Sequence, residues 1–226
     1  MAVTENEESW YAARRQDMVT RQLEGRGIKN DRVLAAMAAV PRHRFVDRSL
    51  VDAAYEDRPL SIGGGQTISQ PFMVARVTEL AAPQPGDKAL EIGTGCGYQL
   101  AVLARLCQRA YGVELLGDLA TRAQETLREL GIENALVGTF DGSGGWAEHA
   151  PYNVIVVSAG APRIPALLVG QLADGGRLVI PVGPPEDQQL TVVRRVGDSY
   201  TTELDTKCRY VNLLGRYGFG QTPPVA

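Results

Sequence analysis

The stretch KALEIGTGCGYQLAVLARL, Lys88 to Leu106, constrains the chain more than any other. An apolar run of strand length, Lys88 to Ile92, breaks into glycines at 93, 95 and 97 and then into an apolar helix pattern. A run that is apolar at consecutive positions predicts a strand covered on both faces. A strand that leads through a helix to a second strand closes a parallel βαβ unit. RAYGVE, Arg109 to Glu114, reads as that second strand, with a helix pattern following through Leu130. ALVGT, NVIVVSA (Asn153 to Ala159), the helix-like PALLVGQL and RLVIPV (Arg177 to Val182) continue the alternation. The fold class is α/β, a doubly wound and mostly parallel sheet. QLTVVRRV and SYTTELDTKCRYVNLL follow without a helix between them, which predicts antiparallel strands at the C-terminal end.

Upstream of this core the pattern is helical from residue 9 to about 55. SWYAARRQDMVTRQL spaces Trp10, Met18 and Leu23 along one face, and NDRVLAAMAAV begins at an Asn30 cap and stops before Pro41. From Pro59 to Gln70 the composition turns to Gly, Ser and Thr, predicting a loop before the helix PFMVARVTELAA. PQPGD marks a boundary. It separates an N-terminal helical region with its loop, 1–82, from an α/β core with C-terminal strands, 83–226, the two forming one compact domain.

Several classes of function are excluded by composition. Net charge is −3 and the basic residues are scattered, so nothing marks a nucleic-acid surface. No apolar run approaches the ~20 residues of a membrane span, and Met1 to Ser9 is polar and acidic, unlike a signal peptide. A cytoplasmic monomer is expected. Cys96, Cys107 and Cys208 lack CxxC spacing, predicting reduced thiols and no zinc site. His43 in PRHRFV and His149 in AEHAPY have no metal-binding companions and read as surface loop residues.

The chemistry concentrates at the glycine turn. Its spacing is GxGxG, which lacks the third glycine of the GxGxxG dinucleotide fingerprint. A tight turn after the first strand still lets a ligand approach the backbone. Glu114, 21 residues beyond Gly93 at the end of the second strand, stands where a carboxylate takes the hydroxyls of a ribose. Together they point to a nucleoside cofactor. Asp141 and Gly142 follow the third strand on the same edge; the aspartate suits an adenine amine, and the pair equally suits a simple turn. Ser158 to Ala161, SAGA, follow the fourth strand with small side chains that leave room for a substrate or make a tight loop.

QTISQP, LEIGTGCGYQLAVLA, DG before GWAEHAPY, and LADGGRLVIPVG occur in this order, and with them the chain resembles the protein-L-isoaspartate O-methyltransferases from about Met18 to Gly220. The resemblance implies transfer of a methyl group from S-adenosyl-L-methionine to the α-carboxylate of an L-isoaspartyl residue in an aged protein or peptide. The ester then closes to a succinimide that reopens in part to aspartate, which is repair. By the same resemblance Glu91 and the turn Gly93, Thr94, Gly95 and Gly97 hold the methionine part, Glu114 the ribose, and Asp141 with Gly142 the adenine. Thr67, Ile68 and Leu115 are further cofactor contacts, and Ser69 lies beside the reacting carboxylate. A substrate strand is implied to pair with backbone near Tyr210 to Leu213.

This chain departs from the family pattern at three places. Phe140 replaces a glycine and either stacks on the adenine or fills space; Asn153 replaces an aspartate, also near the cofactor edge; Val74 stands where some members have histidine. Gly63 to Gly65 suit positive φ and a loop that folds over the crevice. Ser69 is then either the N-cap of the helix through Leu80, with Pro71 in its first turn, or a substrate-positioning hydroxyl. Two other functions stay open: a relative that methylates one dedicated peptide, and a nucleoside-binding module without catalysis.

Overall fold

A computed structural model describes residues 5–220. The outer ends of the two predicted regions, 1–4 and 221–226, lie outside it, as does the start of the acidic N-terminal segment.

The strand predicted at Lys88 to Ile92 lies third in a seven-stranded sheet. β3 (Lys88–Ile92), buried from Ala89 onward, pairs in parallel with β4 (Arg109–Glu114) on one side and β6 (Tyr152–Val157) on the other. Leu90 faces Tyr111 in one register and Ile155 in the other. β5 (Ala135–Thr139) extends the sheet beyond β4, and β7 (Leu172–Val182) extends it in parallel beyond β6. β8 (Gln188–Val196) and β9 (Ser199–Cys208) complete it antiparallel, giving the order β5-β4-β3-β6-β7-β8-β9. The chain leaves β3 in one direction and returns for β6 on its other side. Such a reversal opens a crevice at the carboxyl ends of the two strands.

The helices follow their apolar stripes. In α5 (Gly117–Glu129) Leu119, Ala120, Ala123 and Leu127 are buried, one face of a 3.6-residue period. α4 (Tyr98–Ala104) is buried at every position. Its N-cap, Gly97, has φ 91°, and a Cβ there would meet the Ala123 Cβ at 3.2 Å, so the last glycine of the turn lets the chain pass close to α5. α6 (Ala166–Gly170) is a single short turn. In the N-terminal region α1 (Glu5–Asp17) runs into a π-helical turn at Met18–Leu23. α2 (Asp31–Ala39) starts at Asn30, whose side chain accepts from the Arg32 and Val33 amides at 3.1 and 3.3 Å, as its sequence predicts. Met18, Val33 and Met37 from this region pack in one continuous core with Val102, Val156 and Val192. Among the described residues no helix is long and apolar enough to cross a membrane.

Four expectations are corrected. The segment predicted as a loop is a hairpin, β1 (Leu60–Gly63) against β2 (Gln66–Ile68), with Leu60 opposite Ile68. Leu60, Ile62 and Ile68 bury alternate side chains, and Gly63, Gly64 and Gly65 take φ of 89°, 59° and 72°. Ser69 is not a helix cap: α3 (Pro71–Ala81) has Gln70 as N-cap, with no side-chain capping bond and Pro71 at the first position. His43 is not on the surface. It is 4% exposed, stacks on Tyr11 with ring centroids 4.0 Å apart, and its Nδ1 lies 2.8 Å from the Tyr55 hydroxyl, because the polar segment around it is covered by α1. His149, on a short turn, is half-buried and stacks on Tyr111 at 4.2 Å. Asn153 lies at the start of β6 and accepts from the Lys88 amide at 2.9 Å. That is the amino end of the strands, opposite the crevice.

Candidate functional site

The glycine turn is anchored to β4 before anything else is considered. Gly93 and Thr94 both donate their amides to Val113 O, at 2.9 and 3.2 Å. Glu114, the next residue, closes the arrangement from the other side: Oε2 accepts from Gly95 N at 2.7 Å and Oε1 from Leu116 N at 2.9 Å. A carboxylate oxygen has two acceptor sites, so each retains one. Glu114 is 7% exposed and lines the crevice with Leu115, Gly93 and Gly95.

Glu91, one residue before the end of β3, is the second acid of the site. Its Oε1 accepts from the Ser158 hydroxyl at 2.6 Å, and its Oε2 is buried with no hydrogen-bond partner among the described residues. Burial holds its pKa well above the usual carboxylate range; the Ser158 hydrogen bond opposes this, and the Glu114 charge adds to it. Ser158, half-buried at the end of β6, had no assigned partner in the sequence. Only the parallel pairing of β3 with β6 brings it to Glu91.

The crevice has three connected parts, and Thr67 and Ser158 line all of them. A narrow part of about 60 Å³ runs past Gly93, Gly95, Glu114, Leu115 and Gly142. A central part takes in Ile68, Ser69, Glu91 and Thr94. The widest, about 760 Å³, opens between Ser69, Gln70 and Met73 on one wall and Tyr210, Val211 and Asn212 on the other. The structure therefore brings together Thr67, Ile68, Ser69, Glu91, Gly93, Thr94, Gly95, Glu114, Leu115 and Gly142.

Gly97 and Asp141 stand apart from the lining. Gly97 faces α5. Asp141 turns its carboxylate to backbone: Oδ1 accepts from Ser143 N at 2.9 Å and Oδ2 from Arg216 N at 2.8 Å. Burial alone would raise its pKa, but these two amides and the Ser143 side chain outweigh it and hold the group below the ordinary carboxylate range. Gly142 and Ser143 remain at the crevice itself. Phe140 packs edge-on against Trp146, with centroids 5.2 Å apart, and lies outside the lining. The residue is 37% exposed.

Ser69 follows β2 and projects where the central and wide parts meet. Across from it, burial pushes the Tyr210 phenol above its ordinary pKa, with the neighbouring Cys208 adding to this and the Ser69 side chain opposing it. The segment from Tyr210 onward is held by an isolated parallel bridge between Asn212 and Gly160. Gly160 N donates to Val211 O at 2.8 Å, and Leu213 N donates to Gly160 O at 2.7 Å. A crevice with a glycine turn, an acid at each of two strand ends and a second extended wall can take a nucleoside at one end and a peptide at the other.

A family model described as protein-L-isoaspartate(D-aspartate) O-methyltransferase (PCMT) matches residues 13–218. The chain belongs to this family. A protein-L-isoaspartate O-methyltransferase of Methanospirillum hungatei is 49% identical over 205 residues, 91% of this chain and 95% of that one. One from Protochlamydia amoebophila is 51% identical over 207 residues, 91% of this chain and 99% of that one. Among solved structures, a protein-L-isoaspartate O-methyltransferase superposes with a TM-score of 0.82 at 28% identity, covering 90% of this chain and 67% of that one. A Plasmodium falciparum PCMT in complex with S-adenosyl-L-homocysteine gives 0.77 at 25% identity, covering 88% and 97%. Within the PCMT family, then, this chain places Asn153 and Phe140 away from the crevice and keeps Val74 at the wall of its central part.

Proposed function

We propose that the three-part crevice is a single methyl-transfer site, with the cofactor in the narrow and central parts and the isoaspartyl peptide in the wide one. The protein is an S-adenosyl-L-methionine-dependent methyltransferase that acts on L-isoaspartyl residues of damaged proteins and peptides, the first step of their repair. The observation that carries the residue assignment is the sharing of Thr67 and Ser158 by all three parts, which makes a continuous path from Glu114 to Ser69.

The chain's own groups fit such a cofactor. Glu114 offers two fixed oxygens, each with an acceptor site to spare, to a pair of ribose hydroxyls. Glu91 Oε2 is an acceptor without a donor, suited to an ammonium group. Gly93 leaves open the approach to Ser158 and Ala159, where a Cβ would sit 3.8 Å away. Gly142, with Asp141 behind it, borders the adenine. When bound, S-adenosyl-L-methionine supplies an electrophilic methyl group on a sulfonium. Ser69 orients the substrate carboxylate toward it. That carboxylate, with a reference pKa of about 3.3–3.7, is ionised at neutral pH, so the chain need only position it.

Selectivity rests on backbone path. An isoaspartyl residue adds a methylene to the main chain and carries its α-carboxylate as a branch. A peptide held extended along Tyr210 to Leu213 aims that branch differently from a normal aspartyl side chain. Residues 1–82 and 83–226 work as one unit, because Thr67 and Ser69 come from the first and the glycine turn from the second. The test is calorimetry with S-adenosyl-L-methionine followed by methyl transfer to matched isoaspartyl and aspartyl peptides. Cofactor binding with transfer to the isoaspartyl peptide alone is expected; equal methylation of both, or none, overturns the assignment.

A further inference from the structure

Gln188 opens β8 as a fully buried polar residue outside the crevice lining, and the reaction makes no direct use of it. Its side-chain amide is nevertheless bonded at both its nitrogen and its oxygen. Nε2 donates to Tyr210 O at 3.2 Å, and Oε1 accepts from Tyr210 N at 2.7 Å. One side-chain amide thus takes both backbone groups of a single residue, the pairing a neighbouring strand would supply. The main-chain ladder between β8 and β9 ends at Gln188 opposite Cys208, so this side chain adds a rung two residues farther on. Gly160 then takes over with its bonds to Val211 and Leu213. The wall of the wide cavity is held from behind by one glutamine and one glycine.

We propose that Gln188 is a positioning residue for the isoaspartyl peptide, an inference that rests on the placement of the peptide in the wide cavity. It fixes the height and direction of Tyr210, and through Tyr210 two features of the wall. The first is the phenol beside Ser69. The second is Asn212: as the partner of Gly160 in a parallel bridge, it turns its own amide and carbonyl away from Gly160 and toward the side where a peptide would pair. Without the glutamine, the segment loses its anchor at the residue nearest Ser69 while the glycine turn and Glu114 stay as they are.

Gly160 supplies an independent check. A Cβ on Gly160 would fall on Gln188 Nε2, Cδ and Oε1, all inside contact distance. Gly160 does not have a positive φ, and the atoms nearest an added Cβ all belong to the Gln188 amide, so alanine there must push that amide aside. Gly160→Ala should therefore reproduce the defect of removing the glutamine amide, and should become harmless once the amide is gone.

The experiment measures kcat and KM for an isoaspartyl peptide, calorimetric affinity for S-adenosyl-L-methionine, and thermal unfolding. The variants are Gln188→Leu, Gln188→Ala, Gly160→Ala and the double variant Gln188→Ala with Gly160→Ala. Gln188→Leu keeps the buried volume without the hydrogen bonds and guards against simple unfolding. Each single variant is expected to raise the peptide KM about tenfold while cofactor affinity changes less than about twofold, the loss of a backbone anchor rather than of a binding pocket. In the Gln188→Ala background, Gly160→Ala should add less than about a twofold change. A normal peptide KM in Gln188→Leu would show that the residue merely fills space, and multiplying effects in the double variant would show that the two do not share a site. Either result overturns the proposal. A wild-type protein that does not methylate the isoaspartyl peptide would instead overturn the placement on which it rests.

Discussion

The Glu114 carboxylate is tied to the Gly95 amide at 2.7 Å across the mouth of the glycine turn. The end of β4 and the glycine turn are thus tied together, with the Leu116 amide as the second tether at 2.9 Å. A carboxylate fixed in this way meets two hydroxyls without losing its own rotamer freedom on binding.

Glu114→Ala is therefore expected to weaken S-adenosyl-L-methionine. Hydrogen bonds to a charged acceptor contribute about 1.5–3 kcal/mol each, and ~1.4 kcal/mol is tenfold in affinity. Calorimetry should show at least a tenfold rise in Kd, and an unchanged Kd would remove Glu114 from the site.

Ser69→Ala separates position from stability. Gln70 is the helix N-cap, so loss of the half-buried Ser69 hydroxyl removes no cap and should cost no more than about 1 kcal/mol, the contribution of one hydrogen bond. Turnover should fall by about tenfold or more with cofactor affinity intact, since the group acts on alignment. A drop in melting temperature with normal turnover would contradict the assignment.

Glu91 gives the site a proton signature. Burial keeps its carboxyl protonated above the usual range in the free protein. Pairing with a cofactor ammonium favours the charged form, so binding should release a proton from it. Cofactor affinity is then expected to strengthen as pH rises toward the elevated pKa. Calorimetry in buffers of different ionisation enthalpy measures the release, which Glu91→Gln should abolish. Single-turnover methyl transfer at saturating cofactor and peptide should in contrast stay nearly flat between about pH 6 and 8, because the nucleophile is already ionised. A tenfold rise per pH unit, lost in His149→Gln, would reveal a base at a residue whose ring stacks on Tyr111 and packs edge-on against Trp146.

His43 carries a pH dependence of stability. Burial first, then the charges of Arg15 and Arg44, lower its pKa to about 4, while Glu8 faces Nε2 at 3.9 Å and Tyr55 and Tyr11 close the rest of its surroundings. The unfolded chain, with histidine near 6.5, binds more protons than the folded one between these values. Stability from this residue is therefore complete above about pH 6.5 and is lost as pH falls toward 4, by an amount on the order of 2–3 kcal/mol. Denaturation in urea across pH 4–7 should show this slope, and His43→Gln should flatten it.

The parallel core was legible because β3 and β6 are short apolar runs and α5 carries a one-face apolar stripe, so strand and helix patterns alternated on either side of the glycine turn. The hairpin at Leu60 was hidden by its length: four residues and three are too few for alternation to stand out. His43 was misjudged because its cover, Tyr11 and Tyr55, comes from 32 residues before it and 12 after. Asn153 was placed at the wrong end of the sheet because nearness in sequence to a cofactor loop does not say at which end of a strand a residue lies. Ser158 reads in the sequence only as a small residue at a strand end and Gln188 carries no signal, since their bonds to Glu91 and Tyr210 exist only where two strands or a strand and a returning loop meet.

Residues 210–217 touch both ends of the crevice. Tyr210 stands at Ser69, while the Arg216 amide is held by Asp141 Oδ2 and the Tyr217 amide by Ser143 Oγ at 3.0 Å, beside Gly142. A short strap moored to both walls is shared by them. A ligand that orders the strap at one end would leave less ordering for a ligand at the other to supply. Reciprocity would then require each ligand to tighten the other by the same factor.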